Sequence, residues 1–148
     1  MTRLVQYFKL SPMHCDSNIV LAVAHGRHED RSRVCIEKMH PDASHQDWMF
    51  VPREGGFYEI VNKKSFKVLD DSTCGRPSGT VYQFGRHLGD NQLWKIRRSK
   101  TIDGVHLISK VNMHLAIDVG SWRKDYHAPI VIWHHTDQAN QTWRMIRL

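Results

Sequence analysis

The pattern Gln-x-Trp occurs three times in the chain, in the tetrapeptides HQDW (45–48), NQLW (91–94) and NQTW (140–143). Successive tryptophans are 46 and 49 residues apart. Recurrence at a period of about 20–50 residues is typical of a supersecondary unit that is repeated and packs against its own copies. The pattern therefore predicts three similar units within the 148 residues, rather than one irregular fold.

Aligned on their tryptophans, the units span approximately residues 1–50, 51–98 and 99–148. The second and third units match without a gap, since IVNKKSFKVLD (60–70) superposes on ISKVNMHLAID (108–118). Short apolar strands alternate with polar turns at intervals of about eight to twelve residues, as in sandwiches and barrels, and no segment sustains a helical period. We expect one all-β domain over the whole chain, with about twelve strands in a closed three-fold barrel and helices limited to single turns.

The three repeats resemble the ricin-B-type (R-type) lectins, whose fold is the β-trefoil. The resemblance covers essentially the whole chain, because the three Gln-x-Trp patterns stand in register with VLD (68–70) and AID (116–118). It implies that the tryptophans form core layers about a pseudo-three-fold axis and that the glutamines brace nearby loops. Burial of large aromatic side chains stabilises such a core, so these residues predict the fold, and sugar binding has to be argued from other positions.

The third repeat carries the groups that a sugar pocket needs. A carboxylate accepts hydrogen bonds from two hydroxyls, an aromatic ring covers the apolar face of a pyranose, and an amide both donates and accepts. In the family, these groups are an aspartate at the end of a strand, an aromatic residue on the next strand and an asparagine just before Gln-x-Trp. Asp118, Trp133 and Asn140, with the adjacent Gln141, stand at those positions and are the sugar-binding residues that the resemblance implies.

The second repeat has a similar set, Asp70, Phe84, Asn91 and Gln92. Its interval from aspartate to aromatic residue is 14 rather than 15 residues, so either Asp71 is the ligand or the intervening loop is shorter. Phenylalanine offers less stacking area than tryptophan. We therefore expect the weaker of two sugar sites here.

The first repeat lacks this set. Ala22 stands where the other repeats have aspartate, Lys38 where they have the aromatic residue, and His45 in place of the asparagine. Without a carboxylate there is no bidentate acceptor, and a lysine side chain offers no flat face for stacking. We expect no sugar site in the first repeat, although Gln46 and Trp48 maintain the fold.

Composition narrows the choice of partners and cofactors. The net charge of +6 and the pI of about 9.4 would suit an acidic partner, but the basic residues are scattered, and the densest group, KIRRSK (95–100), falls where a linker between repeats is expected. The eleven histidines lack the paired Cys/His spacing of zinc sites, so no metal or cofactor is expected. Because the basic residues are scattered, we do not expect nucleic-acid binding. We do not expect membrane insertion either, because no apolar run approaches the roughly 18 residues of a membrane span.

The cysteines and the N-terminus bear on the cellular compartment. Cys15, Cys35 and Cys74 are an odd number and widely spaced, which argues against a disulfide framework and favours a reducing compartment. The N-terminal stretch MTRLVQYFKL lacks the apolar core of a signal peptide. We expect a protein that is cytoplasmic or released by a non-classical route.

The resemblance also implies a ligand, namely galactose or N-acetylgalactosamine at the end of a glycan. Mannose, sialylated and sulfated ligands are known variations on the fold. Two sites on one domain would give multivalent binding to glycoproteins or glycolipids, and a homodimer would add more. Trp122, Tyr126 and Ile130 are apolar residues available either for a dimer interface or for the core. Partnership with a separate catalytic toxin chain stays open.

Two other classes of function are alternatives to glycan binding. A protease inhibitor or a binder of heparin or another acidic polymer is the main alternative, but such a protein has no reason to carry aspartate, aromatic residue and asparagine together in two repeats. Catalysis is not expected. Glycoside hydrolysis requires two carboxylates that flank one bond, a serine hydrolase requires an elbow such as GxSxG, and neither is recognisable in the sequence.

Overall fold

Residues 5–148 of the computed structural model form twelve β-strands and six single-turn 3-10 helices. Residues 1–4, which begin the first predicted repeat and the stretch considered for a signal peptide, lie outside the described range. The strands, in chain order, are β1 (Tyr7–Pro12), β2 (Ile19–Val23), β3 (Val34–Lys38), β4 (Trp48–Arg53), β5 (Phe57–Asn62), β6 (Val68–Asp71), β7 (Val81–Phe84), β8 (Trp94–Arg98), β9 (Val105–Ser109), β10 (Leu115–Val119), β11 (Ile130–His134) and β12 (Trp143–Arg147). The predicted all-β class is confirmed.

Six of the strands close a barrel. β1 pairs with β4 and β12, β5 with β4 and β8, and β9 with β8 and β12, all antiparallel. The pairing forms a complete ring, so none of these six strands is left as an unpaired edge. Each Gln-x-Trp tryptophan begins one of the barrel strands, namely β4, β8 or β12.

The other six strands form three hairpins, β2–β3, β6–β7 and β10–β11. Isolated bridges join the hairpins to one another in a cycle. The bridged pairs are Arg33 with Tyr82, Thr80 with Val131, and Cys35 with Pro129. A six-stranded barrel with three cyclically joined hairpins is the β-trefoil, the fold that the resemblance to the R-type lectins implies.

The three Gln-x-Trp tryptophans, Trp48, Trp94 and Trp143, are fully buried. Each indole N–H donates a hydrogen bond to a backbone carbonyl on the second strand of its own repeat. The acceptors are the carbonyls of Leu21, Leu69 and Ile117, at 3.0, 3.1 and 3.4 Å. Each ring thus removes a large apolar area from water without leaving its N–H unpaired, and it ties the barrel to a hairpin. The predicted core role of the tryptophans is confirmed.

The fold is held by packing and hydrogen bonds. Cys15 and Cys35 are buried and Cys74 is exposed, and all three thiols are free. In residues 5–148, no helix has the length and the apolar character that crossing a bilayer requires.

Replacing Trp94 by alanine is expected to lower the free energy of unfolding by about 3–5 kcal/mol, because it creates a cavity beneath the hairpin. The matched control is Trp122→Ala, since the Trp122 side chain is about half exposed, and its effect should stay below about 1 kcal/mol. Urea denaturation followed by circular dichroism measures both. Equal losses in the two variants would contradict the core role of Trp94.

Candidate functional site

A cavity of about 410 Å³ lies over the β10–β11 hairpin, within the range of about 300–1,000 Å³ that is typical of ligand pockets. Its lining includes the four residues predicted for the third repeat, Asp118, Trp133, Asn140 and Gln141. Trp122, from the turn after β10, joins them. The tertiary structure therefore brings the third-repeat residues to one concave surface.

Asp118 lies near the end of β10 and is only 4% exposed. Its Oδ1 accepts a hydrogen bond from Asn140 Nδ2 at 3.2 Å, and its Oδ2 accepts one from Gln141 Nε2 at 2.8 Å. Burial raises the pKa of Asp118, and the two amide donors oppose that rise. Each carboxylate oxygen has two lone pairs, so the carboxylate keeps accepting capacity for the hydroxyls of a ligand.

Gln141 is fixed behind this carboxylate. Besides Asp118, its Nε2 donates to the His134 carbonyl at 2.7 Å, and its Oε1 accepts from the Thr136 N–H at 2.8 Å. Both amide hydrogens and the carbonyl oxygen are thereby engaged, and the side chain is buried. Gln141 therefore orients Asp118 and braces the loop, rather than presenting a free group to a ligand.

Asn140 has one polar atom without a partner. Its Nδ2 donates to Asp118, whereas its buried Oδ1 accepts no hydrogen bond from any residue in the described range 5–148. A buried acceptor left unpaired costs free energy. Because Asn140 lines the cavity, a rotation of its side chain that uncovers this oxygen would allow a hydroxyl or amide of a bound molecule to pair with it.

Two indole rings flank the cavity. Trp133 of β11 is 43% exposed, and Trp122 is 47% exposed. Exposed aromatic rings on a concave surface are suited to cover the apolar face of a ligand. The sequence offers Trp122 only as an interface or core residue. Its position four residues after Asp118, in the turn that leaves β10, is the signal that could have indicated the pocket.

Asp70 has the same surroundings in the second repeat. Its Oδ1 and Oδ2 accept hydrogen bonds from Asn91 Nδ2 and Gln92 Nε2, each at 3.0 Å. Gln92 also bonds the backbone of Gly85 and His87, as Gln141 does in its own loop. Burial raises the pKa of Asp70, and the two amides and nearby His87 oppose the rise. The same pattern of hydrogen bonds thus holds the carboxylate in each of the two repeats.

Both carboxylate oxygens of Asp71 accept hydrogen bonds from the turn after β6. Its Oδ1 accepts hydrogen bonds from the N–H and the hydroxyl of Thr73 at 3.1 and 2.9 Å, and its Oδ2 accepts one from the Gly75 N–H at 2.9 Å. Of the two aspartates considered for the second repeat, Asp70 is therefore the counterpart of Asp118.

Phe84 stands at the ladder position of Trp133, because it pairs with Val68 as Trp133 pairs with Ala116. The shorter interval in the second repeat therefore reflects a shorter loop. The guanidinium carbon of Arg31 lies 5.3 Å from the centroid of the Phe84 ring, so a cation covers one face of it. A ligand would have to displace Arg31 or bind beside it, which makes this ring less available than that of Trp133.

In the first repeat, the strand pairing places the aromatic position one residue away from where the sequence alignment places it. Ala22 pairs with Cys35, and in the other repeats the aromatic residue lies two residues after the partner of the aspartate. Glu37 therefore stands at the aromatic position, and the prediction that Lys38 does so is wrong. The interval from Ala22 to Glu37 is 15 residues, the same as from Asp118 to Trp133. Glu37 is followed by His45 after 8 residues, whereas Trp133 is followed by Asn140 after 7, so a count back from the Gln-x-Trp sequence misses the position by one. The Glu37 carboxylate accepts a hydrogen bond from His45 Nε2 at 2.8 Å.

Comparison with known proteins gives a consistent assignment of the fold. Residues 5–84, just over half of the chain, match the family model described as ricin-type beta-trefoil lectin domain-like. Among solved structures, the designed three-fold symmetric protein ThreeFoil superposes with a TM-score of 0.87 at 25% identity, over 96% of this chain and 99% of that one. No protein of curated function matches the chain in sequence.

Two natural proteins of known structure are also similar. An exo-β-1,3-galactanase from Clostridium thermocellum aligns at 26% identity with a TM-score of 0.83, over 100% of this chain but 31% of that one. The present chain thus spans about a third of the galactanase. The C-half of an earthworm R-type lectin, in complex with GalNAc, aligns at 16% identity with a TM-score of 0.74, over 97% of this chain and 99% of that one.

The change Gln141→Ala is expected to raise the pKa of Asp118 further, because it removes a donor that opposes the effect of burial. It should also lower the free energy of unfolding by about 1–3 kcal/mol, since backbone groups of the loop lose their partner. NMR titration of the carboxyl carbons measures the first effect and urea denaturation the second.

Gln46→Ala is the matched control. Gln46 makes the same bracing bonds in the first repeat, to the Lys38 carbonyl and the His40 N–H, but it does not touch Asp118. It should lower stability and leave the pKa of Asp118 unchanged. A shift of that pKa in both variants would mean that the effect is transmitted through the fold and not through the direct hydrogen bond.

Proposed function

The chain belongs to the ricin-type β-trefoil lectin domain-like family, and from this premise we propose that it is a non-catalytic lectin for glycans that end in galactose or N-acetylgalactosamine. Membership of the family and likeness to a lectin structure support carbohydrate binding in general. The choice of sugar and of site rests on the chemistry of the third-repeat cavity.

One observation carries the proposal: a buried carboxylate, an unpaired amide oxygen and two exposed indoles meet in one cavity. Asp118 can accept hydrogen bonds from two neighbouring hydroxyls, and Asn140 Oδ1 can accept another. Trp122 and Trp133 can cover C–H groups. A pyranose offers this combination, since its hydroxyls lie around the edge of the ring and its C–H groups form an apolar face.

Galactose and N-acetylgalactosamine suit this arrangement best. Their axial 4-hydroxyl leaves an unbroken C–H face for an aromatic ring, while the neighbouring 3- and 4-hydroxyls can both donate to one carboxylate. The earthworm lectin of the same fold is in complex with GalNAc, and the similar Clostridium thermocellum protein is a galactanase. Those properties belong to those proteins, and they agree with a galactoside ligand for this one.

The third repeat is the principal site in this proposal and the second repeat a weaker one, because Arg31 covers one face of Phe84. A single shallow sugar site has a Kd of roughly 0.1–1 mM, which is about 4–5.5 kcal/mol. Two sites on one rigid domain gain from effective concentration on a surface that presents many glycans. We therefore infer multivalent recognition of glycoproteins or glycolipids.

A homodimer would double the number of sites. Of the three apolar residues considered for its interface, Ile130 is fully buried in the core and Trp122 lines the cavity, which leaves the exposed Tyr126. Homodimerisation is therefore a proposal that rests on Tyr126 alone. The proposed location, cytoplasmic or non-classically released, rests on the free cysteines.

A second candidate function, binding of an acidic polymer such as heparin, is favoured by a cavity of about 250 Å³ whose lining includes Arg97, Arg98 and Lys100. Asp137 lies in the same cavity, and its Oδ1 is 3.1 Å from His106 Nε2. This carboxylate offsets part of the positive charge, so the observation is weaker than the one that supports galactoside binding.

Asp118→Ala is expected to weaken binding to terminal galactosides at least about tenfold, because a charge-assisted hydrogen bond contributes about 1.5–3 kcal/mol. A glycan array of wild type and variant measures the change, and isothermal titration calorimetry with lactose gives its size. Signal that persists in Asp118→Ala and disappears in the double variant with Asp70→Ala would assign the remainder to the second repeat.

The control for this experiment is Asp42→Ala, which removes an exposed aspartate in the first repeat and should leave galactoside binding unchanged. A wild-type array without signal on any galactoside, together with salt-sensitive retention on heparin, would replace the proposal by the acidic-polymer candidate.

Galactoside binding is expected to weaken as the pH falls, and to begin weakening at a higher pH than for an ordinary aspartate. Burial raises the pKa of Asp118, and only the ionised carboxylate accepts hydroxyl hydrogen bonds through both oxygens. Affinity is constant well above that pKa and falls by up to about tenfold per pH unit below it. Calorimetric titrations across the acidic range measure the profile.

The control is His134→Gln, since the His134 ring lies 5.2 Å from the Trp133 ring. The same profile in that variant assigns the effect to the Asp118 carboxylate. A profile that becomes flat in it would contradict that assignment.

A further inference from the structure

The third-repeat cavity has a counterpart in the first repeat, and strand register identifies its residues. Ala22 and Cys35 form the ladder pair that corresponds to Asp118 and Val131. Two residues further along β3, Glu37 stands where the third repeat has its aromatic residue. Since side chains alternate along a strand, Cys35 and Glu37 lie on one face of β3.

Backbone hydrogen bonds extend the correspondence to the neighbouring loop. Ser78, which lines the third-repeat cavity, donates its N–H to the Ile132 carbonyl at 2.8 Å. His127 donates its N–H to the Ile36 carbonyl at 2.7 Å. Both residues have φ of 69°, so His127 occupies the position of Ser78 beside the first-repeat hairpin.

The first repeat therefore has a cluster of side chains whose chemistry differs from that of the third-repeat cavity. The sulfur of Cys35, a carboxylate oxygen of Glu37 and a ring nitrogen of His127 all lie within 4.8 Å of one another. His127 Nδ1 is 4.0 Å from Glu37 Oε2. We propose that Cys35, Glu37 and His127 form a binding site for a divalent transition-metal ion of the zinc class.

The residues around the cluster suit a metal site, because two side chains fix the Glu37 carboxylate. His45 Nε2 donates to Glu37 Oε1 at 2.8 Å, and Gln46 Nε2 donates to the same oxygen at 3.3 Å. These bonds leave Glu37 Oε2 turned towards His127. Groups behind the ligands that fix their orientation are a regular feature of metal sites.

Access to the site is one-sided. Cys35 is fully buried, whereas the His127 side chain is 48% exposed and its ring stacks on that of His25 at 5.4 Å between centroids. The His127 ring therefore lies on the solvent side of the cluster and the Cys35 thiol on its buried side. Three protein ligands leave the fourth tetrahedral position for water or for a further ligand.

The ligand set selects the class of metal. Thiolate and imidazole favour zinc and similar ions, whereas magnesium and calcium prefer oxygen ligands. Burial raises the pKa of the Cys35 thiol to about 12, so the thiol holds its proton when no metal is bound. On binding, the sulfur donates an electron pair to the metal ion, the proton leaves to solvent, and no group is oxidised or reduced.

Cobalt(II) titration of the reduced full chain tests the proposal, because thiolate ligation gives a charge-transfer band in the near ultraviolet. We expect saturation at one ion per chain, displacement by zinc, and no displacement by magnesium. The band should be lost in Cys35→Ser and retained in Cys74→Ser, which removes the exposed thiol. Absence of a saturable band in the wild type, or its survival in Cys35→Ser, would overturn the proposal.

A surface variant guards against misfolding of Cys35→Ser. His127→Ala changes a half-exposed side chain and should weaken zinc affinity about tenfold or more, whereas His114→Ala, an exposed histidine elsewhere, should not. Competition with a zinc-sensitive dye measures both. Equal affinity in His127→Ala and wild type would exclude His127 as a ligand and overturn the site. Galactoside binding at Asp118 should be unchanged in all four variants, so this test is independent of the lectin proposal.

Discussion

The side-chain amide of the glutamine in each Gln-x-Trp sequence is the contact on which both the fold and the site depend. In every repeat its nitrogen donates to the carbonyl at the end of the third strand, and its oxygen accepts an N–H two residues further on. It therefore closes the loop between the hairpin and the barrel strand. In two repeats its second amide hydrogen bonds an aspartate, so the group that braces the fold also orients the carboxylate.

These bonds explain why the backbone fold is the same in the three repeats while the outer surfaces of their hairpins differ. The glutamine and the tryptophan are buried, and their partners are backbone carbonyls and N–H groups, which every sequence provides. The side chains on the outer face of each hairpin are free to vary without loss of those bonds. The third repeat presents a carboxylate between two indoles, the second a carboxylate beside a ring covered by Arg31, and the first a cluster of thiol, carboxylate and imidazole.

The three surfaces also differ in the pKa shifts of their carboxyl groups. Asp70 and Asp118 are buried carboxylates with two amide donors each, and burial still raises the pKa of both. Glu37 is also partly buried, but its hydrogen bonds from His45 and Gln46, with the nearby charges of His45 and His127, outweigh desolvation and lower its pKa. The pKa of the first-repeat carboxylate is therefore shifted in the opposite direction from those of the other two.

Much of this could be predicted from the chain alone, because the pattern recurs. Three Gln-x-Trp sequences at similar intervals predict three repeated units around one core, and the resemblance to the R-type lectins implies the β-trefoil and the buried tryptophans. The resemblance also named Asp118, Trp133 and Asn140 for the third repeat, and these three residues line one cavity. The alignment on Gln-x-Trp misplaced the aromatic position of the first repeat by one residue, at Lys38 instead of Glu37, because the loop after β3 is one residue longer there, and the ladder between β2 and β3 shows the register.

The sequence by itself determined the three repeats and the shared core of buried tryptophans, because equivalent residues recur in each repeat. Only the tertiary structure decided what stands around them. Arg31 of the first repeat lies against Phe84 of the second, and His127 of the third repeat lies beside Cys35 of the first, 92 residues away along the chain. Contacts between repeats depend on how the hairpins pack around the axis, and spacing along the chain carries no record of that packing.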